Sequence, residues 1–458
     1  MKKTTAKILA GILAAASAVS LASCSSDEQS GSADATTTAK TEWTGDNVEV
    51  TAAEDVIDNE LDISGQSLKW MGIYDLNPTN DTPERETQVA LFEDVYGAKI
   101  EYIPTTTTTQ FDDLATSIIG GTPPDVFIFS ERTFPYDINK GQFQPIDSIV
   151  DWEDPMWADV KDQADMFMWN GEHYVAPFGY GANDFQILMY NRSELERLGL
   201  EDPYKLYEED KWDWDAFVSI MKEFVEAGEG DRYGIGGWWA NAFIYTSGDP
   251  IVKYDGKTFT NNLYSASVEK AQFTLENIWK NNMVKRGWID PAAAFITGDL
   301  LFYSMGTWAV NAADEAVPED EVFIVPFPKE PETDTYYMHK SIFSHMWVKG
   351  SENTDVVKAW FNVNRLVFYD DQYIQVTKDK FLKNNSYWSE EAYDVMLSYY
   401  DDDKFKLAYD YGFGLSDYMN STVMSTLYEG IVNENFESWT QAREEYSNIV
   451  DSEIAAYN

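Results

Sequence analysis

The chain of 458 residues has very little cysteine, histidine or basic residue: one Cys, three His, and 33 Lys and Arg against 79 Asp and Glu. A single thiol cannot form an internal disulfide, so core burial has to hold a folded domain together, and a chain of this length can bury enough surface. His173, His339 and His345 show no spacing typical of zinc ligands, and no metal site is predicted. The formal net charge of −46 excludes binding to nucleic acid through charge.

Common catalytic motifs are also missing. The sequence contains no G-x-S-x-G nucleophile turn and no phosphate-binding glycine loop, and the acidic run at 400–404 lacks the glycine and glutamate of a calcium loop. A glycosidase needs only two carboxylates beside an aromatic cleft, and 79 acidic residues always supply some pair. No catalytic residue and no cofactor is therefore predicted, and a surface glycosidase remains an alternative function.

The only cysteine, Cys24, follows a basic start and an apolar run from Ile8 to Leu21. This run is shorter than the ~20 residues that span a bilayer, and the pattern is typical of a secretory signal. The stretch from Leu21 to Cys24, LASC, resembles the lipobox of bacterial lipoproteins. The resemblance implies cleavage of a signal peptide at 1–23 and lipid anchoring of Cys24 outside the cytoplasm. The alternative is an ordinary signal peptide with an incidental cysteine.

The residues after Cys24 are rich in Ser, Thr, Ala and Asp, which predicts a flexible tether over 24–64. From Leu68 onward, short apolar runs alternate with helical periods. LKWMGIY, AKIEYIP and DVFIF read as strands with helices between them, an order typical of a parallel sheet covered by helices. Later runs, QILMYN, VFIVPFP and SIFSHMWVKG, predict further strands. WDWDAFVSIMKEFVEAG predicts a helix capped by Asp213. Two α/β lobes connected more than once fit this order.

Four separated stretches resemble the extracellular solute-binding proteins of carbohydrate ABC transporters, the maltose-binding-protein type. They are GGTPPDVFIFS followed by KGQFQPIDSIV, then NGEHYVAPFGYGANDFQILMYN with its Leu-Gly turn, then FITGDLLFYSMGTWAV, and finally VFIVPFPK with the strand and helix after it. The resemblance extends from about Leu68 to the C-terminus.

This resemblance implies a two-lobed, periplasmic-binding-protein-like (Venus flytrap) α/β fold with crossing hinge strands. The N-terminal lobe would comprise 65–177 plus 333–383, and the C-terminal lobe 178–332 plus 384–458. The first crossing would fall at 177–181. The lobes would close around a ligand between them.

The ligand of an open α/β sheet lies beyond the carboxyl ends of its strands, which selects the residues after the first and third strands. The family resemblance adds a stacking tryptophan and an acid near the hinge, and a tyrosine at the predicted crossing would contribute a ring edge. A Trp-Trp pair flanked by glycines cannot turn both rings inward, so one should be exposed. The predicted ligand-binding residues are Tyr74, Asp75, Ser130, Glu131, Arg132, Tyr180, Asp184, Trp238, Trp239 and Trp308.

Aromatic residues make up 15% of the chain, and flat rings on a cleft suit sugar rings. The resemblance therefore implies a monomeric, membrane-anchored receptor that captures a carbohydrate, most simply an oligosaccharide, and delivers it to an ABC transporter permease. The alternatives are a binding protein for a peptide, polyamine or other small solute, the surface glycosidase, and a glycan-adhesion module without a permease.

Overall fold

The structure is a computed structural model that describes residues 61–79, 85–182, 187–227, 231–281, 283–287, 290–304, 322–384, 388–399 and 404–458. The predicted signal peptide, Cys24 and nearly all of the tether lie outside the described residues. Asp184 and Trp308 also lie outside them.

Two mixed five-stranded sheets form the framework of the described chain. The strands are β1 (Ser67–Gly72), β2 (Lys99–Pro104), β3 (Val126–Ile128), β4 (Ala176–Ala182), β5 (Ile187–Asn191), β6 (Tyr233–Gly237), β7 (Val252–Tyr254), β8 (Phe259–Asn261), β9 (Val284–Lys285), β10 (Leu300–Ser304), β11 (Val322–Pro326), β12 (Tyr336–Met338), β13 (Lys340–Trp347) and β14 (Phe405–Leu407). One sheet has the order β2-β1-β3-β13-β4 and the other β11-β5-β10-β6-β9. Two small sheets pair β7 with β8 and β12 with β14.

In the first sheet β1 runs parallel to β2 and β3, which confirms the predicted parallel arrangement. β13 lies between β3 and β4 and is antiparallel to both. The strand itself is predicted by the sequence, but its place in the sheet is not. In the second sheet β10 is parallel to β6 and antiparallel to β5. All five residues of β5 are buried, as expected of a strand covered on both faces.

Helices cover both sheets. They are α1 (Thr87–Tyr96), α2 (Gln110–Ile119), α3 (Tyr136–Asn139), α4 (Pro155–Ala158), α5 (Lys161–Asp165), α6 (Arg192–Leu198), α7 (Pro203–Glu208), α8 (Trp214–Glu226), α9 (Ala242–Thr246), α10 (Ala266–Lys280), α11 (Asp290–Ile296), α12 (Thr354–Tyr369), α13 (Asp371–Asn384), α14 (Glu390–Ser398), α15 (Ser425–Glu429) and α16 (Trp439–Ile454). The predicted cap of α8 is confirmed, because the carboxylate of Asp213 accepts a hydrogen bond from the backbone N–H of Ala216 at 2.9 Å. α8 packs on β6, and α12 packs on β4 and α1.

The chain crosses between the two sheets repeatedly. It passes from β4 to β5, returns from β11 through β12 to β13, and passes again from α13 to α14, which packs on β11. The predicted lobe boundary between 177 and 178 falls inside β4, which stays paired with β13 of the first sheet through Ala182. The lobe boundaries themselves remain a prediction.

We call the first sheet with its helices the first lobe and the second sheet with its helices the second lobe. The segment after β14 joins these two lobes. Residues Tyr411–Gly414 form a short 3₁₀ helix that lies against a second one, Glu131–Thr133, in the first lobe. The hydroxyl of Tyr411 donates to the carbonyl oxygen of Met166 at 3.3 Å, and that of Tyr254 in β7 donates to Met168 at 3.2 Å. The C-terminal segment and the β7–β8 hairpin thus support the junction.

Candidate functional site

The carboxyl ends of β1, β3 and β4 share one edge of the first sheet. β1 is parallel to β3, and β13 runs antiparallel to both β3 and β4, so the start of β13 lies at the same edge. The segments that carry Tyr74, Asp75 and residues 130–132 emerge there. His339, just before β13, joins them.

Tyr74 and Asp75 are half-buried beyond β1. The carbonyl oxygen of Tyr74 accepts a hydrogen bond from the indole of Trp70 at 3.1 Å. Burial, with a smaller contribution from the charge of Glu86, raises the pKa of the Tyr74 phenol to about 12, so it remains a hydroxyl donor at neutral pH. Oδ1 of Asp75 accepts hydrogen bonds from the backbone and the side chain of Asn77 at 2.9 and 2.8 Å, which fixes the carboxylate.

Ser130 and Glu131 follow β3. Oγ of Ser130 is buried and has no hydrogen-bond partner among the described residues. Oε1 of Glu131 lies 3.2 Å from Nε2 of His339. Burial and the charge of Asp410 raise the pKa of Glu131 to about 8, while burial lowers the pKa of His339 to about 3. His339 is therefore a neutral imidazole beside the Glu131 carboxyl group and does not offset its charge.

Arg132 is held by protein groups. Its Nε donates to the carboxylate of Asp417, its Nη1 lies 3.6 Å from Asp137, and its guanidinium lies 3.9 Å from the ring centroid of Phe111. Only 11% of the side chain is exposed. Arg132 was predicted as a ligand residue, and in the structure it also fastens the loop after β3 to the C-terminal segment.

Tyr180 and Trp239 are buried. Tyr180 lies in β4 opposite Ile342 and is 4% exposed. Trp239 is 3% exposed and packs edge-on against Phe243, with ring centroids 6.0 Å apart. Trp238, in contrast, is 43% exposed, as expected for one ring of the pair.

Trp238 lies at the carboxyl edge of the second sheet. Its backbone N–H donates to the carbonyl oxygen of Ser304 at the end of β10, at 2.6 Å, so the ends of β6 and β10 are side by side. The predicted Trp308 is four residues beyond Ser304, outside the described residues. Beside Trp238 lies a cavity of about 430 Å³.

A buried polar cluster between the lobes was missed by sequence reasoning. The His339 ring lies 4.4 Å from that of Tyr245 in α9, and the Tyr245 ring lies 5.1 Å from that of Tyr428. The hydroxyl of Tyr428 donates to Asp410 at 2.6 Å, and Asp410 also accepts from the backbone N–H of Ile251 at 2.6 Å. The cluster links the loop after β3 to the second lobe, so the two strand edges meet at a common polar junction. Its members are too far apart in the chain for any spacing to reveal it.

His345, the third histidine, lies in the core of the first lobe. Its Nδ1 accepts a hydrogen bond from the indole of Trp360 at 3.0 Å, and burial lowers its pKa to about 3. Within the described part of the chain, no group of three or more His, Cys, Asp or Glu side chains could hold a metal ion. Across the same residues, no helix has the length and apolar character needed to cross a membrane.

Two α/β lobes, joined by repeated crossings and meeting at the carboxyl ends of their strands, define a two-lobed ligand-binding protein. The chain belongs to the bacterial extracellular solute-binding protein family, whose model matches residues 80–363. Membership places the protein outside the cytoplasm, in a family of binding proteins for ABC transporters.

Solved structures share the fold at low sequence identity. An ABC substrate-binding protein from Listeria monocytogenes in complex with cycloalternan is 15% identical, with a TM-score of 0.57. The match covers 85% of this chain and 99% of the Listeria chain. The GacH receptor of Streptomyces glaucescens, solved unliganded and with acarbose, is 14% identical, with a TM-score of 0.56 and coverage of 86% and 99%. UgpB from Mycobacterium tuberculosis in complex with glycerophosphocholine is 15% identical, with a TM-score of 0.56 and coverage of 81% and 94%. The search of curated proteins gave no match.

Proposed function

We propose that this protein is a cell-surface receptor that captures a carbohydrate, most simply an oligosaccharide, and delivers it unaltered to the permease of an ABC transporter. The observation that carries the proposal is the exposed indole of Trp238 at one strand edge, with the hydroxyl and carboxyl groups of Tyr74, Asp75 and Ser130 at the other. A sugar ring presents an apolar face to an indole and directs its hydroxyls sideways to polar partners. The cycloalternan and acarbose complexes of proteins with this fold support the same ligand class.

The remaining predicted residues contribute in different ways. Glu131, with its pKa of about 8, is a neutral carboxyl at pH 7 and can both donate to and accept from a hydroxyl. Asp184 and Trp308 would add a hinge carboxylate and a second stacking ring. Tyr180, Trp239 and Arg132 would lie beneath the residues that contact the ligand and hold them in position.

A thermal-shift screen of the full chain in detergent tests the ligand class. We expect a neutral oligosaccharide to raise the melting temperature, since a ligand of the folded state stabilises by mass action: about 2.7 kcal/mol at a hundred times Kd. Trp238→Ala and Trp308→Ala should each weaken the shift. Phe273→Ala, which removes an aromatic ring of similar exposure on α10, should leave it unchanged.

A non-sugar solute is the second candidate, because UgpB binds glycerophosphocholine on this fold and the chain is strongly acidic. A shift with polyamines or peptides and none with any glycan would favour it over the sugar. Reducing-end product on incubation with the shifting glycan would instead indicate the glycosidase.

The amino-terminal segment is proposed to anchor the receptor. Signal cleavage before Cys24 and acylation of that residue would attach the mature chain, since several acyl chains give lasting membrane attachment. The residues to 64 would then act as a spacer for a monomeric binding unit. Mass spectrometry of the amino-terminal peptide should show acylated Cys24. An unmodified peptide, or one cleaved elsewhere, would contradict the anchor and leave the ligand proposal intact.

A further inference from the structure

The cavity beside Trp238 extends along the carboxyl edge of the second sheet to its outermost strand. β6 is parallel both to β10 and to the edge strand β9, so the ends of the three strands lie in a row. Trp238 follows β6, and Arg286 follows β9; both line the cavity. Its volume of about 430 Å³ lies within the range of small-molecule sites.

The outer wall is formed by a fixed guanidinium. Arg286 lies over the ring of Trp279, 4.4 Å from the centroid, and its Nη2 donates to Glu434 at 2.8 Å. Its side chain is 65% exposed. A guanidinium carries five N–H donors, so stacking and one ion pair hold Arg286 in place and still leave donors for a ligand.

The facing wall supplies acceptors. Glu429 lines the cavity, and each of its carboxylate oxygens accepts one hydrogen bond: from Asn241 at 2.9 Å and from Asn433 at 3.3 Å. A carboxylate has about four acceptor sites, so the two amides orient Glu429 and leave lone pairs for hydroxyl donors. Such charge-assisted bonds are stronger than those to neutral acceptors.

The charges of the lining residues balance. Lys285 and Arg286 face Glu429 and Glu434, so the cavity favours neither a cation nor an anion by net charge. It combines an exposed indole, fixed donors and fixed acceptors, the combination that a neutral polyhydroxylated ring requires.

We infer that the cavity between Trp238 and Arg286 is a subsite for one sugar ring of a neutral oligosaccharide that extends from the cleft to the edge strand β9. This inference rests on the proposed function and narrows it to ligands of several rings. A ligand that occupies both the cleft and this cavity needs more than one ring.

Isothermal titration of the full chain in detergent with maltose through maltoheptaose, and with raffinose, tests the subsite. We expect longer sugars to bind the wild type more tightly than shorter ones. Arg286→Ala and Glu429→Gln should each reduce that advantage by about tenfold, the loss typical of a central interface group. The Arg286–Glu434 pair is exposed and contributes little to folding, so Arg286→Ala should remain folded.

Arg443→Ala is the matched control. Arg443 also lies over an aromatic ring, Tyr264, and pairs with a carboxylate, Glu269 at 2.7 Å, but it does not line the cavity. It should leave the affinity for every sugar unchanged. If the wild type shows no preference for longer sugars, or if the cavity variants keep it, the subsite is wrong while a sugar receptor stands. If no sugar of the series binds, the result counts against the proposed function and the subsite together.

Discussion

At the scale of single residues, the unusual group is Glu131, a carboxyl at the junction of the two lobes. It lies near Asp410, His339, Tyr245 and Tyr409, and none of these groups supplies a positive charge at neutral pH. The folded protein therefore favours the protonated carboxyl, and ionisation carries a cost that the unfolded chain does not share.

This gives a pH dependence of defined sign. The pKa of Glu131 rises from about 4.5 to about 8 on folding, so between these values the folded state binds the extra proton. Its stabilising contribution is complete below about pH 4.5 and is lost as the pH rises through about 8. The side chain of Glu131→Gln cannot ionise. As the pH rises from 5 to 9, the free energy of unfolding of this variant should therefore increase relative to that of the wild type by about 1 kcal/mol or more, after allowance for partial exposure.

Thermal or urea unfolding of both proteins at each pH measures the difference. Glu352→Gln, at an exposed glutamate, serves as the control and should follow the wild-type profile. Parallel profiles for Glu131→Gln and the wild type would show that the carboxyl is ionised throughout.

At the scale of elements, two short 3₁₀ helices, Glu131–Thr133 and Tyr411–Gly414, approach so closely that only glycine fits at 414. A Cβ on Gly414 would lie 1.7 Å from the carbonyl oxygen of Phe134 and 2.7 Å from that of Glu131. Both neighbours are backbone atoms, so no side-chain rotation relieves the overlap. The contact fixes the position of the loop that carries the predicted site residues 130–132 relative to the C-terminal segment.

Gly414→Ala should therefore lower the free energy of unfolding by about 3 kcal/mol, the size of a severe overpacking change. Urea unfolding followed by intrinsic fluorescence measures it. Gly120→Ala, at the end of α2 where the nearest atom would be 3.2 Å away, should change the midpoint far less. Equal midpoints for the two variants would mean that the two 3₁₀ helices separate at little cost.

At the scale of the whole molecule, more of the fold than of the site could be predicted from the sequence. A buried strand such as β5 is visible in the sequence as a continuous apolar run, and a capped helix such as α8 as a helical period. The rule that ligands bind beyond the carboxyl ends of strands placed Tyr74 and Glu131 at one edge. Partners could not be predicted, because Arg132 and its acceptor Asp417 are 285 residues apart. Nor could the Trp238–Trp239 pattern reveal which ring is buried, since the turn after β6 decides it.

The central place of β13 has a consequence for how the protein is made. Its residues, Lys340–Trp347, lie between β3 and β4, so the first sheet stays in two separate parts until the ribosome has added a segment from the later part of the chain. Domains that fold during synthesis do so once their own residues have emerged. The first lobe thus stays incomplete for most of translation, which would favour export of the chain from the cytoplasm before it folds.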